Sequence, residues 1–145
     1  MTWADFWALI ATLNGEATHA NCRRLAEELG RRSVPDIIGF AERHAEALYR
    51  LDQEKFGTLP VVDLTAWDGG PFPQSSDVFL YTRCAVVAAG QAVWESVFFD
   101  VEKFAPYTSS ARVRASSSGS RRVRRCCGYG GSAADDSRVG GRRGR

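Results

Sequence analysis

The sequence predicts a mainly α, small single-domain helical bundle of four to five helices with a disordered Arg/Gly/Ser-rich C-terminal tail. Three observations predict it. Apolar residues recur at helical spacing through most of the first hundred positions, recognisable cap residues precede those stretches, and the large apolar residues stop abruptly before the end of the chain. All nine Leu, all eight Phe, all four Trp and every Ile lie at or before Phe104. With 44% hydrophobic and 25% charged residues the 145-residue chain has the composition of an ordinary globular domain.

The elements follow in order. Thr2 and Asp5 stand at the capping-box spacing, and Trp3, Phe6, Trp7, Ile10 and Leu13 continue as one helical face to the stop signal Asn14-Gly15. A second amphipathic stretch from Thr18 to Gly30 places Cys22, Leu25, Ala26 and Leu29 opposite Arg23, Arg24, Glu27 and Glu28. Ser33-Val34-Pro35-Asp36 is the strongest helix start in the chain, with a cap, a proline in the first turn and an acid at the positive end of the dipole. Ile37, Phe40, Ala41, His44, Leu48 and Leu51 then read as its core stripe. Residues 57–76 carry Pro60, Pro71, Pro73 and the Asp68-Gly69-Gly70 turn signal, and read as a loop with a short helical turn at Leu64 to Trp67. Strand signals are confined to Pro60-Val61-Val62. A fourth helix, capped at Ser76-Asp77, is apolar around more than half its circumference through Phe98 and is therefore expected to be central; Gly90 within it suggests a close helix crossing. One last turn, Asp100 to Ala105, closes at Pro106.

Charge divides where the apolar residues do. Residues 1–105 hold 9 Lys and Arg against 15 Asp and Glu, whereas residues 106–145 hold 10 Arg against 2 Asp. The expected domains are therefore 1–105, acidic and helical, and 106–145, a basic tail without the side chains to offset its ordering entropy. Arg121 to Arg125 and Arg142 to Arg145 resemble arms that neutralise nucleic-acid phosphates. The same Arg, Gly and Ser bias is also what GC-rich DNA gives when translated out of frame, so the tail reads either as a binding arm or as a frameshifted terminus.

Chemistry is sparse. The P-loop, nucleophile elbow, dinucleotide turn and His-Glu-x-x-His patterns are absent, which removes the usual hydrolase and nucleotide enzymes. Cys22, Cys84, Cys126 and Cys127 have no zinc-ligand spacing and read as reduced thiols; no metal and no cofactor is expected. His44, on the helix-three stripe, reads as a core or boundary histidine rather than a base, and His19 with Cys22 lacks the further ligands a metal needs. With no apolar run near the ~20 residues of a bilayer span and no basic leader, a cytoplasmic protein without a membrane contact is expected. Trp67, Asp68, Asp77 and Arg83 mark the one stretch where an aromatic, carboxylates and a guanidinium could converge at a rim. Two functional readings use it: a non-enzymatic interaction or regulatory module presenting Trp67 and Phe72 to a protein partner, and an enzyme with Asp68 or Asp77 opposite Arg83. A third reading is nucleic-acid binding through the tail alone. The sequence is silent on oligomeric state.

Three segments together resemble a known bacterial family. Phe6-Trp7-Ala8-Leu9-Ile10, Ile37-Ile38-Gly39-Phe40 through Tyr49-Arg50, and Ser76-Asp77-Val78-Phe79 through Phe98-Phe99-Asp100 are similar in order and spacing to the DUF4240 family, common in actinomycetes, over about residues 3–105. The family's Gly-Gly, Ser-Asp-Asp and Gly-Arg positions correspond to Gly69-Gly70, Ser76-Asp77-Val78 and Gly90-Gln91, so the second Asp and the Arg are replaced here. A proline-bearing insert from Lys55 to Asp63 is a further departure. The resemblance implies an uncharacterised helical domain and no particular reaction.

Overall fold

The computed structural model describes residues 1–110. Most of them are helical: α1 (Trp3–Ile10) continuing into a 3-10 turn (Ala11–Leu13), α2 (His19–Gly30), α3 (Val34–Arg50), the four-residue α4 (Glu54–Gly57), then the hairpin β1 (Val61–Thr65) and β2 (Pro71–Phe72), α5 (Ser76–Ala88), α6 (Gln91–Phe99) and a closing 3-10 helix (Val101–Thr108).

Local chemistry sets the helix starts. The Thr2 hydroxyl accepts from the Asp5 amide while the Asp5 carboxylate accepts from the Thr2 amide, completing the capping box. The Thr2 hydroxyl also donates to the Asp5 carboxylate at 2.6 Å, and that bond, followed by the one from the Thr2 amide, holds the Asp5 carboxyl below its ordinary pKa. Thr18, Ser33 and Ser75 cap α2, α3 and α5 in the same manner, each accepting from the amide three residues on. Asn14 and Gly15 turn the chain between α1 and α2 with φ of 50° and 81°.

The core is an aromatic interlock. Phe6 and Trp7 of α1 meet Phe40 of α3 and Trp94 of α6 at ring separations of 5.3 and 5.4 Å. The Trp94 indole N–H donates to the Ala47 carbonyl at 3.1 Å, tying α6 to α3 through a buried polar atom that is satisfied. Beyond Trp94, Phe56 stacks on Phe104 and meets Phe98 edge-on, joining α4, α6 and the 3-10 helix, and Phe56 and Phe104 are fully buried. Over the first cluster lies Trp3, flanked by the Arg43 and Arg50 guanidiniums at 5.3 and 5.2 Å. Glu46 accepts from both arginines at 2.6 Å. Partial desolvation pulls the Glu46 pKa up, but those two bonds outweigh it and hold the carboxyl below its ordinary value.

The structure corrects several sequence expectations. The expected single fourth helix is two helices, because Gly90 sits at φ 101° and ψ 173°, a conformation open only to glycine. Among the described residues no atom lies within 4 Å of a Cβ placed there, so Gly90 turns the chain and marks no crossing of the described helices. The central position expected for this region holds for α5, which packs against α3, α6 and the closing 3-10 helix. Leu64 to Trp67 is not helical; Leu64 and Thr65 extend β1, and Trp67 opens the turn. The short α4 was not expected, since four residues are too few to show a period. The core face of α3 is carried by Gly39, Phe40, Ala47 and Leu48, while Ile37 and Ala41 face outward.

Packed chain also continues past the expected boundary at residue 105. Pro106 lies inside the last 3-10 helix, and Thr108 is fully buried with its hydroxyl donating to the Pro60 and Ala105 carbonyls. A small hydroxyl residue is invisible to a search for large apolar side chains. The disorder expected over residues 106–145 is therefore wrong for 106–110, which are held by this helix and by the bonds of Ser110 to Asp63; residues 111–145 lie outside the described residues.

Replacing Gly90 tests the helix break. Gly90→Ala is expected to lower stability by about 1–3 kcal/mol, the cost of forcing a Cβ into that backbone region, read as a lower urea midpoint with an unchanged slope.

Candidate functional site

The β1–β2 hairpin is a short, bulged antiparallel pair in which Val61 is opposite Phe72 and Thr65 opposite Pro71. Its turn is built by the residues the sequence pointed to. The Ala66 carbonyl accepts from the Gly69 amide, Gly69 takes φ 83°, and the Asp68 carboxylate accepts from the Gly70 amide at 3.0 Å. Asp68 is thus a turn-forming residue.

The base of the hairpin is fastened to the helical body from two sides. Gln74 donates to the Phe56 and Leu59 carbonyls at 2.9 and 2.8 Å and accepts from the Thr82 hydroxyl, joining the strand exit to α4 and α5. On the other side Thr108 holds Pro60, and the Asp63 carboxylate accepts from the Ser110 amide and hydroxyl at 2.7 and 2.8 Å. Beyond these fastenings the tip is uncovered. Trp67 is 100% exposed, and Val62, Leu64 and Phe72 are exposed beside it. Ala66, Trp67, Phe72, Pro73, Gln74 and Ser75 surround an open, apolar-walled hollow of about 480 Å³. Asp68 in the turn and Asp77 in the first turn of α5 are exposed on either side of the hollow in sequence, whereas the Asp63 carboxylate is engaged at the base.

The four sequence-predicted residues separate into two groups. Trp67 and Asp68 share the hairpin turn, and Asp77 lies in the first turn of α5 just beyond the hollow. Arg83 belongs elsewhere. Its guanidinium pairs with Asp52 at 3.2 Å, reaches the Leu48 carbonyl at 3.5 Å and lies 4.5 Å above the Phe79 ring. The Arg83 side chain is only 13% exposed, and its Nε is buried without a hydrogen-bond partner among the described residues. It closes the C-terminal end of α3, where a cation is favoured by the helix dipole and the terminal carbonyls. Asp52 is the partner that sequence reading missed; it follows a helix end, and nothing in its spacing from Arg83 announces a pair.

Among the described residues no three His, Cys, Asp or Glu side chains gather to hold a metal ion. Cys22 and Cys84 are half-buried, while Cys126, Cys127 and the arginine clusters at 121–125 and 142–145 lie outside the described residues. No helix among the described residues is long and apolar enough to cross a membrane. His44 stacks on Phe40 with ring centroids 6.1 Å apart, and burial pushes its imidazole down to about 4.

The family model described as "Protein of unknown function (DUF4240)" matches residues 1–120. The chain belongs to the DUF4240 family. No curated protein and no solved structure matches it. The DUF4240 match takes in the hairpin, Arg83 and the closing 3-10 helix alike, and extends past the boundary at 105 that the apolar composition gave.

The low His44 pKa has a defined consequence for stability. The unfolded imidazole, near 6.5, takes a proton before the folded one does, so stability is constant above that pH and falls as pH drops from 6.5 towards 4. The limiting slope for one proton is about 1.4 kcal/mol per pH unit. Urea midpoints at pH 7 and pH 5 are expected to differ less for His44→Gln than for the parent chain.

Proposed function

We propose that this DUF4240 domain is a non-enzymatic interaction module whose docking element is the tip of the β1–β2 hairpin. The observation that carries the reading is the complete exposure of Trp67 on a turn whose base is tightly fastened. A tryptophan left in water next to exposed Phe72, Leu64 and Val62 forgoes a large burial gain, and aromatic anchors of this kind dominate protein–protein interfaces. The fastened base limits the ordering entropy lost on binding, since the turn already has one conformation set by Asp68, Gly69 and Gly70. The exposed Asp68 and Asp77 beside the apolar tip favour a partner that sets Lys or Arg next to an aliphatic or aromatic patch.

The competing enzyme reading needs a guanidinium facing Asp68 or Asp77, and Arg83 is engaged with Asp52 and the end of α3 instead. No observation among the described residues favours nucleic acid, and the arginine clusters on which that reading rests lie outside them.

The test is retention of a partner by immobilised full-length chain, followed by binding of that partner in purified form. Parent chain is expected to bind, with Trp67→Ala weakening affinity at least tenfold, about 1.4 kcal/mol or more for a central aromatic anchor. Equal binding by parent and Trp67→Ala, or retention of nothing by either, contradicts the proposal.

A further inference from the structure

Helix α3 has a second apolar face that the core does not use. Val34, Ile38, Ala41, Ala45 and Tyr49 recur at intervals of three and four, share one side of the helix and are all exposed, with Ile37 at their margin. Val34 is 68%, Ile38 54% and Tyr49 77% exposed. The stripe runs about 22 Å, nearly the whole helix. Solvent-facing helix positions ordinarily carry polar residues, and on α3 these are displaced to the sides: Arg43 and Arg50 turn to Trp3 and Glu46, while Glu42 edges the stripe.

We infer that this face is the contact between two copies of the chain, packed antiparallel about a two-fold axis near Ala41 and Glu42. The order of side-chain sizes fits that operator. A dyad there sets Ile38 over Ala45 of the second copy on either side of the axis, large against small, with the two Ala41 side chains near the middle and Val34 beside Tyr49 of the second copy at the ends. Charge fits it too. The stripe is preceded by Arg32 and by Arg31, which pairs with Glu28 and keeps most of its side chain in solvent, and is followed by Asp52, which pairs with Arg83 and is half exposed, with Glu42 between. An antiparallel pair brings Arg31 alongside Asp52 of the second copy at both ends and opposes the two helix dipoles, whereas a parallel pair stacks like charges and like dipole ends. The face is separate from the hairpin and does not depend on its role.

Sedimentation equilibrium of the full chain between about 5 and 200 µM, the range in which micromolar self-association registers, tests it. The weight-average mass is expected to rise from 15.9 kDa towards twice that value. Ala45→Arg and Ile38→Asp, each checked for an unchanged circular-dichroism spectrum, are expected to hold the mass at the monomer value throughout, and Trp67→Ala to leave the dimer intact. A parent chain that stays monomeric at the highest concentration overturns the inference. So does a dimer that survives both α3 substitutions, or one that only Trp67→Ala dissolves.

Discussion

The structure depends on the contact between Trp94 and the first and third helices. α1 has two turns of regular helix and is too short to persist alone, and α6 is hardly longer. They are held because Phe6, Trp7, Phe40 and Trp94 bury their rings against one another while the Trp94 indole finds the Ala47 carbonyl. An indole sealed in the same place without that acceptor would cost about 1–3 kcal/mol in lost solvation. Trp3 then covers the cluster and is itself held by Arg43 and Arg50, both of which pair with Glu46, so the outermost layer is a cation–aromatic lid on an apolar interior.

Because the interlock draws α3 inward through Phe40, Ala47 and Leu48, it fixes which sides of the chain are left to solvent. The hairpin, inserted between α4 and α5, cannot reach this core; its only buried strand residue is Val61, and its base is held by polar side chains. Its apolar residues therefore have nothing to pack on within the domain. The outer stripe of α3 is in the same position, pointing away from α1 and α6. Ionisable groups follow the opposite course: Arg83 closes a helix end, Asp68 makes a turn, Asp5 completes a cap and His44 stacks as a neutral ring. These four side chains serve the architecture, and the exposed apolar surface is the physical ground for the proposal that the domain binds a partner.

Helix positions were legible in the sequence wherever a cap residue preceded a periodic stretch, as at Thr2, Thr18 and Ser33. The start of α5 was off by one, Ser75 capping in place of Ser76. Where signals were short or ambiguous the reading failed for definable reasons. Gly90 has the same letter whether it permits a crossing or a positive φ, and only the backbone distinguishes them. Apolar positions on α3 cover more than one face, and a single-stripe search assigned Ile37 and Ala41 to the core. Trp67, Phe72 and Asp68 were legible as a polar-loop aromatic beside a turn motif. Arg83 was misplaced because its partner Asp52 is distant in sequence and on another element. Thr108 and Ser110 were missed because they fasten the hairpin with hydroxyl and amide bonds rather than bulk.

Hydrogen exchange at the indole N–H groups of the isolated domain tests the central claim most directly, since Trp94 and Trp67 are assigned opposite roles. The account predicts that the Trp94 indole exchanges only on global unfolding and that the Trp67 indole exchanges at the rate of a free peptide. Comparable protection at the two indoles would contradict it, by showing either that the Trp94 contact does not hold the core or that the hairpin tip is covered by the domain itself.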